Sequence, residues 1–368
     1  MKLTISSMSF SAAAVLAILI SPSADAVTGS VTNWGTGQTN AFPALANITA
    51  ISTSVDHTLA LKSDGTVVAW GWNIDGECNV PNGLSNIQAI AAGDFFSLAL
   101  SSNGTVTAWG TDDCGQGDIP PALTNVVAIS AGHAHALALQ ANGALIAWGS
   151  DAWCQTNIPP AAQNPKSILA AGNLSLALMP NGSVVAWGID DAGQTNVPPG
   201  LQGVTALAAN TEYVLALNSN GTVTAWGYYP AMPAGLSNVV AIAAGEFHSL
   251  ALLGNGTVVA WGADQSGESI VPSGLTGVRA IAAGWSYSAA LVGTTSFSGL
   301  MLLNPAWAGN NFTVSFNSQN GVTYTLQYKT TLDDAWSALT PTPGTGGMMT
   351  LTDSSPADPQ RFYRVSQN

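Results

Sequence analysis

Along most of this chain, large apolar residues alternate with small ones in short runs closed by glycine. Ser97-Leu98-Ala99-Leu100 and Thr105-Val106-Thr107-Ala108-Trp109 keep a period of two, the spacing of strands packed between neighbouring sheets rather than of a helix. The preceding type of run, such as Val126-Val127-Ala128-Ile129-Ser130-Ala131-Gly132, is short and β-branched and predicts a further buried strand. Between the last two strands stand Asp64-Gly65, Asn103-Gly104, Asn142-Gly143, Asn181-Gly182, Asn220-Gly221 or Asn255-Gly256, dipeptides that predict a tight hairpin with a type I′ turn. Each unit therefore predicts at least three antiparallel strands.

The units repeat. Tryptophan followed by glycine occurs at Trp34, Trp70, Trp109, Trp148, Trp187, Trp226 and Trp261, with separations of 36, 39, 39, 39, 39 and 35 residues, and a fixed period of about 40 marks an array of one supersecondary unit. Leu-Ala-Leu recurs in phase at Leu59, Leu98, Leu137, Leu176, Leu215 and Leu250, with Ala289-Ala290-Leu291 as a variant. The last unit stops at Leu291 without its Trp-Gly strand, while residues 29–35 match residues 65–71 position by position. The first strand is thus expected to complete the last sheet, closing a seven-bladed β-propeller and removing the exposed edges of an open stack. Burying each tryptophan removes about 150–250 Å² from water, an upper estimate of roughly 4–6 kcal/mol, so the tryptophans read as core.

After Leu291 the pattern changes. Residues 312–316, 324–328, 349–352 and 362–365 alternate at period two around turns at Asn320-Gly321 and Gly346-Gly347, which predicts a small β-sandwich over 300–368 behind a linker at 293–299. At the other end, Lys2, the apolar stretch from Phe10 to Ile20 and Ala24-Asp25-Ala26 read as a secretory signal over 1–26. That leaves 27–292 for the propeller and an expected location that is secreted, periplasmic or at the cell surface of a bacterium.

Charge narrows the partners. The chain carries 7 Lys and Arg against 20 Asp and Glu, for a net charge of −13; nucleic acid, which is held by neutralising phosphates, is excluded as a partner. No later stretch reaches the length of apolar residues that spans a bilayer. Cys78, Cys114 and Cys154 fall in the same loop of three successive units, which leaves a disulfide or free thiols open.

The chemistry lies in two loop sets, expected at opposite ends of the blades. The first follows the Ala-Ala-Gly strand and varies from unit to unit, carrying Asp94, Phe95, His133, Glu212, Glu246, Phe247 and Trp285, with Asp56 in the first unit. Aromatic and acidic side chains at positions the scaffold does not dictate suit a protein-binding surface. The second set follows Trp-Gly and carries Asn73, Asp112, Asp151, Asp190 and Asp264, with Asp75, Asp113, Asp191, Glu77 and Glu268 nearby; turn capping is expected there, on an acidic face. His57, His135 and His248 share the repeat position of Phe96, Tyr213 and Tyr287 and read as buried, each satisfied by a backbone carbonyl. No nucleophile with a base, phosphate-cradling glycine loop or metal-ligand spacing stands out, so the expectation is a non-enzymatic protein without cofactor.

Residues 239–252 followed by 255–262 resemble the regulator of chromosome condensation repeat, and the resemblance extends over residues 29–292. The short repeats, the stretch at 193–201 and the signal peptide are similar to the secreted bacterial branch of that family, which includes a β-lactamase inhibitor protein. The resemblance implies a seven-bladed propeller that binds other proteins through its loops, in one version as an inhibitor. The C-terminal module resembles those ending other exported bacterial proteins, on Tyr324 to Tyr328, Trp336 and residues 361–365. Its rival function is surface attachment or glycan contact through Trp307 or Trp336, with the propeller as scaffold.

Overall fold

The computed structural model describes residues 5–6, 29–35, 45, 47–55, 57–228, 231–293, 303–308, 311–318, 322–329, 337–345, 348–354 and 362–367. The signal segment beyond residues 5–6, linker residues 294–299, Asp56, the expected turns at 320–321 and 346–347, Trp336 and Arg361 lie outside them. The chain is all-β and divides into two compact units, residues 12–294 and residues 1–11 with 295–368. A 3-10 turn at Pro160–Ala162 is the one helical element among the described residues.

The larger unit is a succession of three-stranded antiparallel sheets of β-propeller type. The first sheet comprises Ile48–Thr53, His57–Lys62 and Val67–Gly71; the second, Ile87–Ala92, Phe96–Ser101 and Val106–Gly110; the third, Val126–Ala131, His135–Gln140 and Leu145–Gly149. The fourth comprises Ser167–Ala171, Leu174–Leu178 and Val184–Gly188; the fifth, Val204–Ala209, Tyr213–Asn218 and Val223–Gly227; the sixth, Val239–Ala244, His248–Leu253 and Val258–Gly262. In the seventh, Val278–Ala283 and Tyr287–Gly293 are joined by Gly29–Gly35, whose register runs from Gly29 opposite Gly293 to Gly35 opposite Tyr287.

The hairpins differ from expectation. Gly104 takes φ +82° while Asn103 does not enter the positive region, and Gly104 N–H donates to Ser101 O while Ser101 N–H donates to Thr105 O. This is a three-residue loop, a type I turn followed by a bulged glycine, and not a type I′ turn. The reason lies in the side chain: Asn103 Oδ1 accepts from Thr105 N–H at 3.0 Å, as Asp64 does from Thr66 at 2.9 Å, an Asx bond that holds the residue before glycine at ordinary φ.

Neighbouring sheets are joined by a tryptophan bond that recurs around the unit. The indole N–H of Trp109, Trp148, Trp187, Trp226 and Trp34 donates to the carbonyl of Glu77, Gln116, Gln155, Gln194 and Glu268, each in the loop of the preceding sheet. Each Glu or Gln is buried, and its side chain folds back to accept the amide N–H two residues earlier, as Gln155 does from Trp153 at 2.8 Å. Glu77 and Glu268 therefore do not contribute to an acidic face: they fasten one sheet to the next.

A second seam explains the buried histidines. His57, His135 and His248 place Nε2 at 2.8–2.9 Å from the hydroxyls of Ser97, Ser175 and Ser288 in the following sheet. Those hydroxyls donate to the carbonyls of Glu77, Gln155 and Glu268, so each imidazole is the donor, neutral and protonated on Nε2. The acceptor is a serine and not the expected backbone carbonyl. Tyr213 likewise meets Ser249 at 2.8 Å and Tyr287 meets Thr58 at 3.2 Å. Where the ring position holds Phe96 or Leu174, the corresponding residue of the next sheet is Ala136 or Val214. Polar faces polar, apolar faces apolar, and no hydroxyl is buried without a partner at these seams.

The described residues of the smaller unit form two sheets. Leu303–Ala308, Asn311–Asn317 and Met348–Asp353 form one; Thr323–Lys329 pairs with Phe362–Gln367 and with two short strands in the other, and Ile5–Ser6 extends that sheet. Val314, Tyr324, Leu326, Met349, Leu351 and Val365 form its core. All four strands anticipated there fall within observed strands.

Candidate functional site

Both loop sets emerge at the same end of the propeller. Ala92, closing the first strand of its sheet, lies opposite Ser97, and Phe96, opening the middle strand, lies opposite Gly110 at the close of the third. The first and third strands of an antiparallel trio run the same way, so both must finish at one edge. The loops are bonded together there: Thr111 N–H donates to Phe95 O, Tyr228 N–H to Glu212 O and Ala263 N–H to Phe247 O. The hairpins occupy the other end. The expectation of opposite ends is therefore corrected.

Backbone bonds fix the variable residues at the seams. Asp94 N–H donates to Gly132 O, His133 N–H to Gly172 O, Glu246 N–H to Gly284 O and Trp285 N–H to Val55 O, each reaching the following sheet and, for Trp285, the first. Glycine is required at the strand end: a Cβ on Gly132 would overlap the His135 imidazole. Residues at the ends of the first strands line a cavity of about 200 Å³, among them Ser54, Asp94, Asn210, Glu246 and Trp285.

On one side of that cavity, three sheets are tied by one network. Ser54 Oγ donates to Asp94 Oδ1 at 2.7 Å, and Asp94 Oδ2 lies 2.6 Å from His133 Nδ1. The Phe95 ring meets His133 edge-on, with centroids 5.5 Å apart and planes at 81°. The bond to Asp94 raises the His133 pKa above its ordinary value against partial burial. Ser54 is bonded to the carboxylate and not to the imidazole, so the chain orders a His–Asp pair without activating a serine. Glu246 feels Asp94, Glu212 and His133; burial first, then the two carboxylates, push its pKa up.

The remaining candidates lie outside that hydrogen-bond network. Phe247 and Trp285 are each 46% exposed, while Glu212 lines a separate groove with Asp191, Gln194 and Tyr228. In the Trp-Gly loops the expected capping is present: Asp112, Asp151 and Asp190 accept from the amide N–H five residues on, at 2.6–3.0 Å. Those same loops expose Trp72, Ile74, Trp153 and Tyr228, which the sequence reading did not single out. The cysteines are free thiols, with Cys114 and Cys154 exposed; burial and then Glu77 push the Cys78 pKa up to about 12.

Residues 48–77, 87–116 and 239–268 match the model of the regulator of chromosome condensation (RCC1) repeat. These three stretches are similar to RCC1 repeats. Each matched stretch runs from the first strand of a sheet to a buried Glu or Gln, the repeat's fastening residue. Solved propellers share the fold. Prp20p from Saccharomyces cerevisiae, whose structure was reported with its binding to Gsp1p and histones, aligns at TM-score 0.60 and 19% identity over 74% of this chain and 93% of its own. Human WBSCR16 aligns at 0.58 and 16% over 72% and 98%, and the ectodomain of the Arabidopsis thaliana receptor kinase ACR4 at 0.55 and 21% over 68% and 92%. No curated protein sequence matches the chain. Among the described residues, no helix is long and apolar enough to cross a membrane.

Proposed function

We propose that this chain is an exported, non-enzymatic binding protein whose RCC1 repeats form one closed seven-bladed propeller followed by a small β-sandwich, and which presents its loop end to a protein partner. Closure is supported by the pairing of Gly29–Gly35 with Tyr287–Gly293 and by the bond from Trp285 to Val55. The observation that carries the function is the convergence of Asp94, Phe95, His133, Glu246, Phe247 and Trp285 at the end where every sheet also leaves its Trp-Gly loop. Exposed aromatic side chains on a rigid scaffold are the usual anchors of protein interfaces. RCC1-like Prp20p, for its part, binds Gsp1p and histones.

The test is capture from exported and envelope fractions by the full chain, side by side with the Phe95→Ala/Phe247→Ala/Trp285→Ala variant. The variant is expected to lose the captured protein while melting within a few degrees of the parent, because Phe247 and Trp285 are exposed and Phe95, half-buried, packs against the exposed His133. Capture that survives all three substitutions would defeat the reading; retention of glycan instead would shift the contact to the C-terminal unit.

A further inference from the structure

The propeller is electrically polar along its axis. Lys62, Lys166 and Arg279 are the only Lys and Arg between residues 29 and 293. Lys62 closes a middle strand opposite Ile48, Lys166 N–H donates to Leu178 O at the close of another, and Arg279 stands second in its strand. All three therefore lie at the hairpin end. The loop end carries Asp75, Asp94, Asp112, Asp113, Asp151, Asp190, Asp191, Glu212, Glu246 and Asp264 and no Lys or Arg. The same end displays Trp72, Ile74, Trp153, Tyr228, Phe247 and Trp285, six of the eight large hydrophobic side chains exposed among the described residues.

Apolar anchors that stay exposed in a soluble scaffold mark a contact surface, and its surroundings select the occupant. We infer that the loop end docks a protein surface rich in lysine and arginine, whose side chains enter between the aromatic rings and the carboxylates around the cavity at the first-strand ends. The inference rests on the protein-binding reading above and names the chemistry of the partner. A guanidinium over Trp285 or Phe247 gains from the ring quadrupole, and beside Glu246 or Asp94 it gains a charge-assisted hydrogen bond. The sheet of carboxylates repels an acidic partner and speeds the encounter with a basic one. The hairpin end has neither the aromatic side chains nor the charge to do the same.

Deca-arginine and deca-glutamate peptides, titrated into the full chain with tryptophan emission as the readout, test the charge. Deca-arginine is expected to bind, and to lose roughly tenfold or more in affinity between about 0.05 and about 0.5 M salt. Deca-glutamate is expected not to bind. Glu212→Gln/Glu246→Gln and Phe247→Ala/Trp285→Ala variants should each weaken deca-arginine binding several-fold, whereas Asp64→Asn at the hairpin end should leave it unchanged. Equal affinity for all four proteins would mean diffuse attraction to an acidic chain and would overturn the inference. So would a captured partner whose cross-linked surface is acidic, or a dimer in sedimentation that Trp285→Ala dissolves, since the face would then serve a second copy. Failure of the broader reading looks different: the peptide behaves as expected, yet the Phe95→Ala/Phe247→Ala/Trp285→Ala variant captures the same proteins as the parent.

Discussion

The hairpin end and the loop end of the propeller are built from the same repeats but obey different rules. At the hairpin end, Asx-Gly recurs in six units because a three-residue loop needs a glycine at positive φ and a short side chain to bond the amide two residues on. At the loop end, the backbone of Asp94, His133, Glu246 and Trp285 makes the same inter-sheet bond whatever the side chain. One end is fixed by its own geometry. The other lends its geometry to residues free to differ, which is why chemistry can collect there.

The sharpest way to break that contrast is to compare two tryptophans that are close in sequence. Trp148, 7% exposed and bonded to Gln116 O, should cost about 3–5 kcal/mol on replacement by alanine, read from urea unfolding. Trp153, 46% exposed in the loop that follows, should stay within about 0.5 kcal/mol on the same substitution. Gly132→Val should rank next, at about 1–3 kcal/mol, because the added side chain displaces the His135 ring; an unchanged melting temperature would remove the ring from its place.

The seams between sheets make a smaller prediction. His135→Phe should destabilise by about 1 kcal/mol, and His135→Phe/Ser175→Ala should recover part of it, because Phe96 facing Ala136 is the chain's own version of that pair. The same histidines set a pH dependence. Burial lowers His57, His135 and His248 to about 4 from an ordinary 6.5, so below 6.5 the unfolded chain binds protons that the folded one refuses. Their contribution is complete above about 6.5, declines as the pH falls, and levels off below about 4. Melting temperatures taken across that window should fall less steeply in His248→Phe/Ser288→Ala. Asn103→Ala at the hairpin end should have the mildest effect among the buried or bonded positions, about 0.5–1 kcal/mol.

Much of the fold was legible because its signals are local. The period of Trp-Gly, the alternation around Leu98 and the Asx-Gly dipeptides each follow from one strand or one turn, and the match of residues 29–35 to 65–71 exposed the strand that pairs with Tyr287–Gly293. What was missed lives between sheets. Glu77 and Glu268 look like surface acids in a run of aspartates, and only the indole of the next unit shows why they are buried. The location of the two loop sets needed strand directions counted through three strands rather than two. Trp72, Ile74 and Trp153 were absorbed into loops read for their aspartates. One signal was available: a histidine or tyrosine at the ring position of one unit accompanies a serine or threonine in the next, and phenylalanine or leucine accompanies alanine or valine.

That correspondence makes the order of the blades a matter of grammar. Duplicating the second unit in tandem would set Phe96 against the hydroxyl of a copied Ser97, and placing the fourth after the third repeats a junction that already fits. Growth or shuffling of such an array by whole units is therefore easiest where like seams meet, and a chain in which Tyr287 meets Thr58 admits few rearrangements that keep every junction satisfied.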